Sequence, residues 1–194
     1  MYIAGRWSNR NLSRLELVVA IFAISVFFAV FSVYMLKVFA KVERVAVNTT
    51  VNNINVVLTS KLVEAIVKND YSDIETVLDQ NPYLLIGGKQ VADLKDESAI
   101  NFSARTNVYA GAIDSDRLDN VVKGNWYYDP VKKHLIYMIK NTEMFDSTLE
   151  GPERIHFRIE IEFEDLNNNA TYESHVDKLI GASLKPVTSY TWTN

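Results

Sequence analysis

The hydrophobic and polar positions divide the chain into stretches of different periodicity. Residues 17–36 form an apolar run of twenty residues without a charge. At about 1.5 Å of helical rise per residue, such a run covers about 30 Å, the thickness of the hydrocarbon core of a bilayer. Since the apolar core of a signal peptide is usually only about 7–15 residues long, we expect a single transmembrane helix over residues 15–36.

A helical period continues beyond the apolar run. Apolar residues there recur at spacings of three and four, which places them on one helix face. No Pro or Gly lies between Asn11 and Pro82, so we expect the helix to continue as a stalk over residues 37–70. The stalk is rich in β-branched residues and Asn, which are weak helix formers, so packing of the apolar stripe must stabilise it. The stripe consists of Val47, Val51, Ile54, Leu58, Leu62 and Ala65.

Residues 71–194 show the shorter period of strands. Apolar and polar residues alternate strictly over 154–164, which predicts an antiparallel strand with one face on a core. The segment NWYYDPVKKHLIYMIK predicts a hairpin that turns near Asp129, and residues 172–194 predict one or two further strands. Residues 83–124 have no sustained period and predict an irregular connection. The expected fold is α+β, with a long N-terminal helix packed on a small antiparallel sheet.

Charge separates the two ends of the chain. Residues 1–44 carry six Lys or Arg and two acidic residues, a net +4, whereas residues 45–194 carry 14 basic and 22 acidic residues, a net −8. An acidic domain on a basic stalk argues against nucleic-acid binding, which requires Lys and Arg to displace counterions. The absence of cysteine excludes disulfides and thiolate metal sites and is compatible with a bacterial periplasm.

The start of the chain resembles the type IV pilins and pseudopilins. In that family a short basic leader precedes a hydrophobic segment whose fifth mature residue is Glu. The stretch LSRLELVVAIFAIS fits this register if Leu12 is the first residue, because Glu16 is then the fifth. The resemblance implies processing between Asn11 and Leu12 and neutralisation of Glu16 by an amino terminus during assembly. The alternative for Glu16 is a position at the headgroup level, paired with Arg14 or a lipid amine.

The resemblance also implies partners and a location. It predicts contacts with other pilin-like subunits and assembly platform proteins at the bacterial inner membrane. Residues 1–14 would be the basic leader on the cytoplasmic side, and residues 71–194 would form the periplasmic domain. The segment NWYYDPVKKHLIYMIK is also similar to segments in accessory proteins of the MSHA-type pilus system.

Two positions depart from the pilin pattern. Asn11 stands where family leaders end in Gly, and Arg14 occupies a position that is normally apolar. An uncleaved anchor of the assembly platform, or an atypical minor subunit, therefore fits this chain better than a major pilin does.

An Asn-rich stretch raises the question of a metal. Asp165, Asn167 and Asn169 have the spacing that begins a calcium loop. Ala170 replaces the Gly expected at loop position six, and Val176 replaces the Glu expected at position twelve. We therefore expect a solvated hairpin turn and no cofactor, with calcium as the less favoured alternative.

Catalytic chemistry finds little support in the sequence. His134, His156 and His175 fall in different predicted elements, and no nucleophile, phosphate-binding or zinc motif occurs. His156 shares a strand face with charged residues, which predicts a solvated side chain. We expect a non-enzymatic structural protein, with a membrane-tethered periplasmic ligand-binding or sensor domain as the alternative. A tethered hydrolase would need an exposed pocket that joins His156 or His175 to carboxylates.

Three consecutive aromatic residues are candidates for a partner-binding surface. Trp126 and Tyr128 face opposite to Tyr127 in a strand, so one of the two faces could be exposed.

Overall fold

The computed structural model describes residues 13–68, 72–87, 108–118, 121–173 and 176–193, with the backbone alone for residues 72–75. Within these ranges the chain has three α-helices: α1 (Arg14–Lys68), α2 (Ser72–Asp79) and α3 (Pro82–Leu85). The same ranges contain seven strands: β1 (Tyr109–Ala112), β2 (Trp126–Asp129), β3 (His134–Met138), β4 (Phe145–Ser147), β5 (Arg154–Glu164), β6 (Lys178–Pro186) and β7 (Tyr190–Trp192). The predicted α+β fold with a long N-terminal helix is confirmed.

Helix α1 is 55 residues long and continues from the apolar run through the stalk, as predicted. It belongs to two compact units, one that ends at Phe39 and one that begins at Ala40. In the second unit, residues at helical spacing are buried because they lie against the sheet. They are Ala40, Glu43, Val47, Thr50, Ile54, Leu58, Leu62 and Ala65.

The main sheet has five strands in the order β1-β2-β3-β5-β6. The pairs β2–β3, β3–β5 and β5–β6 are antiparallel, which confirms the predicted hairpin and the predicted long strand. Strand β1 pairs with β2 in parallel, so the sheet is mixed and not purely antiparallel as expected. The segment that contains β1 has no regular period, and its pairing could not be derived from local sequence. Strands β4 and β7 form a separate antiparallel pair.

The main core lies between α1 and one face of the sheet. Side chains alternate across the strands, so every second residue of β2, β3 and β5 points to the helix. Trp126 lies near the centre, with ring centroids 4.9 Å from Tyr137 and 5.7 Å from Phe157. Other members of this cluster include Val47, Ile54, Leu58, Tyr128, Leu135, Ile155 and Leu184.

A second, smaller core covers part of the opposite face. Tyr127, Ile136 and Met138 are buried there. The covering residues come from the connection between β1 and β2 and from β1 itself: Ala110, Ile113, Leu118 and Val121. Both faces of β2 and β3 are therefore buried, whereas the later part of β5 keeps one face in solvent.

Candidate functional site

The start of α1 is closed by a pair of reciprocal hydrogen bonds. The backbone N–H of Glu16 donates to the Ser13 hydroxyl at 3.2 Å, and the backbone N–H of Ser13 donates to the Glu16 carboxylate at 2.8 Å. This is a capping box, which satisfies two N–H groups that a helix start leaves unpaired. Glu16 also places a negative charge at the positive end of the helix dipole.

The capping box gives Glu16 a local partner that the sequence analysis missed. The Ser-x-x-Glu spacing of residues 13–16 is a known signature of a helix start and was readable from the sequence. The Ser13 N–H is thus a partner of this carboxylate besides the two predicted from the sequence, an amino terminus and Arg14. Asn11 and Leu12, the predicted processing position, lie outside the described residues.

The apolar part of α1 exposes its large side chains. The helix is long and apolar enough to cross a membrane, and none of its apolar window is buried. Its two serine hydroxyls are satisfied within the helix, since Ser25 donates to the Ile21 carbonyl and Ser32 to the Phe28 carbonyl. Such bonds lower the cost of placing a hydroxyl in an apolar environment.

Glu43 is a buried carboxylate on α1 that the sequence analysis did not single out. Only 7% of the residue is exposed. It accepts hydrogen bonds from the Tyr137 hydroxyl at 3.1 Å, from the Lys140 backbone N–H at 2.7 Å and from Asn141 through both its backbone N–H and its side-chain amide, at 2.9 and 2.6 Å. Burial raises the pKa of Tyr137 far above its usual value, and the negative charge of Glu43 adds to this effect. Glu43 therefore fixes α1 to the end of β3 and the turn that follows.

A second polar contact fixes α1 to the other edge of the sheet. The Asn55 side-chain oxygen accepts a 2.7 Å hydrogen bond from the Leu184 backbone N–H of strand β6. An edge strand leaves such N–H groups unpaired unless another element reaches them. Glu43 and Asn55 thus attach the helix at two points of the sheet.

His134 and His156 come together on the face of the sheet opposite α1. Their ring centroids are 5.5 Å apart, because β3 pairs with β5. His156 is only 8% exposed, so the prediction of a solvated side chain is wrong. The side chain is buried because this end of its strand lies beside the second core. Its Nε2 accepts a 3.0 Å hydrogen bond from the Arg154 guanidinium. Burial, and next the charge of Arg154, lower the pKa of His156 to about 4.

A shallow cavity of about 360 Å³ lies beside Arg154. Its other lining residues are Ser115, Asp116, Leu118, Glu150 and Pro152. The Arg154 guanidinium also donates to the backbone carbonyls of Glu150 and Pro152, at 2.9 and 2.8 Å. These bonds hold the guanidinium at the cavity wall. The cavity thus presents one fixed cation and two carboxylates, and the Nε2 of His156 is already occupied by Arg154.

The predicted aromatic patch is wrong as an exposed surface. Trp126, Tyr127 and Tyr128 are 0%, 8% and 7% exposed. Trp126 and Tyr128 belong to the main core against α1, while Tyr127 belongs to the second core on the opposite face. Because helix and loop cover both faces of this strand, neither set of rings is exposed. The tyrosine hydroxyl of residue 127 bonds to the backbone of Val122.

The Asn-rich turn between β5 and β6 uses its side-chain oxygens within itself. Asp165 accepts N–H groups of Asn169 and Ala170, at 3.3 and 2.7 Å, and Asn167 accepts the same Asn169 N–H at 3.1 Å. Asn169 in turn accepts the Thr171 N–H at 2.7 Å. These backbone hydrogen bonds, above all the one from Ala170, hold the pKa of Asp165 below its usual range. A calcium ion would compete with these N–H groups, and no group of three or more Asp, Glu or His suited to a metal occurs among the described residues.

Comparison with protein-family models, with curated proteins and with solved structures found no match.

Proposed function

We propose that this chain is a non-enzymatic, pilin-like subunit or accessory protein of a type IV pilus or type II secretion assembly. Residues 15–36 would anchor it in the bacterial inner membrane, and its C-terminal domain would lie in the periplasm. The observation that carries the proposal is the difference in exposure between the two parts of α1. Its first part exposes large apolar side chains, whereas its second part buries a stripe against a sheet.

The exposed apolar segment supports membrane anchoring. An exposed and predominantly apolar run of this length would be strongly unfavourable in water, at about 25 cal/mol for each Å² of apolar surface. Lipid removes that cost without any partner protein. The internal hydrogen bonds of Ser25 and Ser32 agree with this environment.

The capping box gives Glu16 a hydrogen-bond donor that an accessory anchor with an uncut leader would retain. In a filament subunit of the pilin type, the fifth residue would require an amino terminus as partner. Glu16 already accepts the N–H of Ser13, an amide that lies after the predicted processing position. A chain that is not cut after Asn11 would therefore still have a donor for this carboxylate at the membrane boundary.

The decisive experiment is the intact mass of the full chain extracted from membranes, with and without a prepilin peptidase. We expect an unchanged mass, together with co-purification of pilin-like or platform proteins. Loss of residues 1–11 would replace the accessory anchor with a filament subunit. Recovery of the chain in the soluble fraction, or unaltered pilus formation and secretion after its deletion, would overturn the proposal.

A matched pair of variants separates the charge of Glu16 from its capping role. Glu16→Gln keeps an acceptor for the Ser13 N–H but removes the charge, whereas Ser13→Ala keeps the charge and removes half of the capping box. For an accessory anchor we expect Glu16→Gln to assemble normally. Loss of assembly in Glu16→Gln alone would indicate that the charge has a pilin-type role.

The cavity beside Arg154 favours one alternative, a tethered ligand-binding or sensor domain. Its one cation lies beside two carboxylates, Asp116 and Glu150, so it would suit a small zwitterion rather than an anion. Glycine is a suitable probe in a thermal-shift titration of the full chain in detergent, with citrate as the anion that should not bind. A saturable rise in Tm that Arg154→Gln abolishes would support this alternative, and an unchanged Tm would count against it.

A further inference from the structure

The second unit of the chain has a helix face that nothing in the described residues covers. Along α1, eight exposed residues recur at alternating spacings of three and four, so that the pattern repeats every seven residues. They lie on the opposite side of the helix from the stripe that packs on the sheet. We call this set the outer seam: Val42, Val45, Thr49, Asn52, Val56, Thr59, Val63 and Ile66.

The spacing of the outer seam is that of a coiled coil. A period of 3.5 residues keeps one stripe of a helix facing a partner helix over several turns, as positions a and d of a heptad do. Residues 42, 49, 56 and 63 take the first position, and residues 45, 52, 59 and 66 take the second. Five of the eight residues are Val or Ile, and Val45 and Val56 are 57% and 67% exposed.

Charge is absent from the middle of this helix. The sixteen residues from Val45 to Ser60 contain no Asp, Glu, Lys or Arg. The solvent face of a surface helix normally carries charged residues, so an uncharged face with exposed Val is typical of a contact surface.

The seam hydroxyls are already satisfied within the helix. Thr49 donates to the Val45 carbonyl at 2.8 Å, and Thr59 donates to the Asn55 carbonyl at 2.9 Å. Covering these residues with another helix would therefore leave no hydroxyl hydrogen unpaired. The face can be buried at little polar cost.

We propose that the outer seam packs in register and in parallel against the same seam of a second copy of this chain. Asn52 is the polar residue that decides the partner. Its amide is both donor and acceptor, so two copies of Asn52 can pair across a symmetric contact, whereas a shifted register would bury both amides without a partner. No charge on this face selects a different sequence or repels an identical one. The parallel orientation rests on the membrane anchor of the proposed function, which would give all copies the same direction.

Single cysteines test the contact, since the natural chain contains none. Asn52→Cys and Val56→Cys place a thiol on the seam, and Glu64→Cys places one on an exposed position beside it. Mild oxidation of membranes that contain each full-length variant should give disulfide dimers from the two seam variants. The dimer yield from Glu64→Cys should be several-fold lower, because a disulfide requires Cα atoms within about 7 Å.

Three outcomes would overturn the proposal: equal dimer yield at all three positions, no dimer from the seam positions, or adducts only with other proteins. A staggered array of copies would also give no dimer from the seam positions, because it does not place a residue beside the same residue of another copy. Membrane fractionation of the same samples tests the anchor separately, because a soluble chain could still crosslink through the seam.

A matched pair of charge variants gives a second measurement that does not depend on oxidation. Asn52→Asp places two like charges face to face in the proposed contact, whereas Asn53→Asp adds the same charge at an exposed position off the seam. We expect sizing with light scattering in mild detergent to show a loss of dimer for Asn52→Asp alone. A natural chain that is monomeric there, or equal effects of both variants, would contradict the seam.

Discussion

The Glu43 carboxylate and the Tyr137 hydroxyl are joined by a 3.1 Å hydrogen bond between positions 94 residues apart in the sequence. Three further donors, from Lys140 and Asn141, complete the contact. Glu43 forms no ion pair within the part of the chain that the structure describes. A buried anion held only by neutral donors stabilises one geometry strongly, because any shift of the helix would leave several groups unpaired at once.

Removal of this carboxylate should destabilise the domain. In Glu43→Ala the buried donors of Tyr137, Lys140 and Asn141 lose their acceptor, and each unmade bond costs about 1–3 kcal/mol. We expect the free energy of unfolding to fall by at least about 3 kcal/mol. Urea unfolding of the full chain in micelles, followed by tryptophan fluorescence, measures it. Glu64→Ala is the control and should cost far less, since its exposed pair with Lys68 contributes little. A loss equal to the control would refute the assigned role.

The domain should lose stability in mild acid because of His156. Its pKa is lowered to about 4 in the folded chain, against about 6.5 when unfolded. Between these values the unfolded chain binds a proton that the folded chain does not, so the free energy of unfolding falls as pH drops from 6.5 to 4. Allowing for solvent screening, the loss is on the order of 1–3 kcal/mol.

His156→Gln supplies the comparison for that profile. Glutamine retains an acceptor for the Arg154 guanidinium but does not titrate, so its unfolding free energy should change less between pH 6.5 and pH 4. Arg158→Gln, on the exposed part of the same strand, should change the profile less than His156→Gln does, because the charge of Arg158 acts on the pKa of His134 and not on that of His156. Parallel profiles for the natural chain and His156→Gln would show that other groups cause the acid sensitivity. Burial alone would raise the pKa of Asp129, but hydrogen bonds from Ser115, Lys132 and Val131 lower that pKa to about 2. Asp129 therefore titrates below the pH range in which His156 does.

Asn55 should protect one particular amide. In Asn55→Ala the Leu184 N–H loses its acceptor, so its hydrogen exchange should accelerate. The accompanying loss of unfolding free energy should be about 1–3 kcal/mol. Asn53→Ala changes an exposed residue of the same type and serves as the control. If Leu184 exchanges equally fast in both variants, another group must protect it.

The capping box should govern the first turn of α1. Ser13→Ala removes the acceptor for the Glu16 N–H, and loss of a cap typically costs about 0.5–2 kcal/mol. We expect faster exchange of the Glu16 amide in micelles, with later turns unaffected. Ser25→Ala, which removes a hydroxyl that caps nothing, should leave this amide unchanged. Equal exchange in Ser13→Ala and the natural chain would mean that the first turn does not depend on the box.

Local patterns predicted the elements well where one face of an element is buried and the other is not. Strand β5 has the bounds of the alternating run, because every second residue meets the core. The continuation of α1 followed from its stripe at helical spacing. The capping box of Ser13 and Glu16 was equally local and could have been read from the sequence.

Contacts between distant segments could not be read in this way. Glu43 and Lys140 are 97 residues apart, so although Glu43 lies one helical turn before Val47 of the stripe, nothing near it in the sequence identifies its donors. The approach of His134 to His156 depends on the register of β3 against β5. Trp126, Tyr127 and Tyr128 lie on both faces of a strand that is covered on both sides, a feature of the tertiary fold that alternation alone does not encode.

The bond between Asn55 and Leu184 has a consequence for the time course of synthesis. The two residues are 129 positions apart. At about 5–20 residues per second, translation needs roughly 6–26 s to make the strand that completes the packing of α1. During that interval the stalk leaves the ribosome with an apolar stripe and a weak helical propensity. The nascent chain therefore depends on its own late strands, or on a chaperone, to keep this stripe from aggregating.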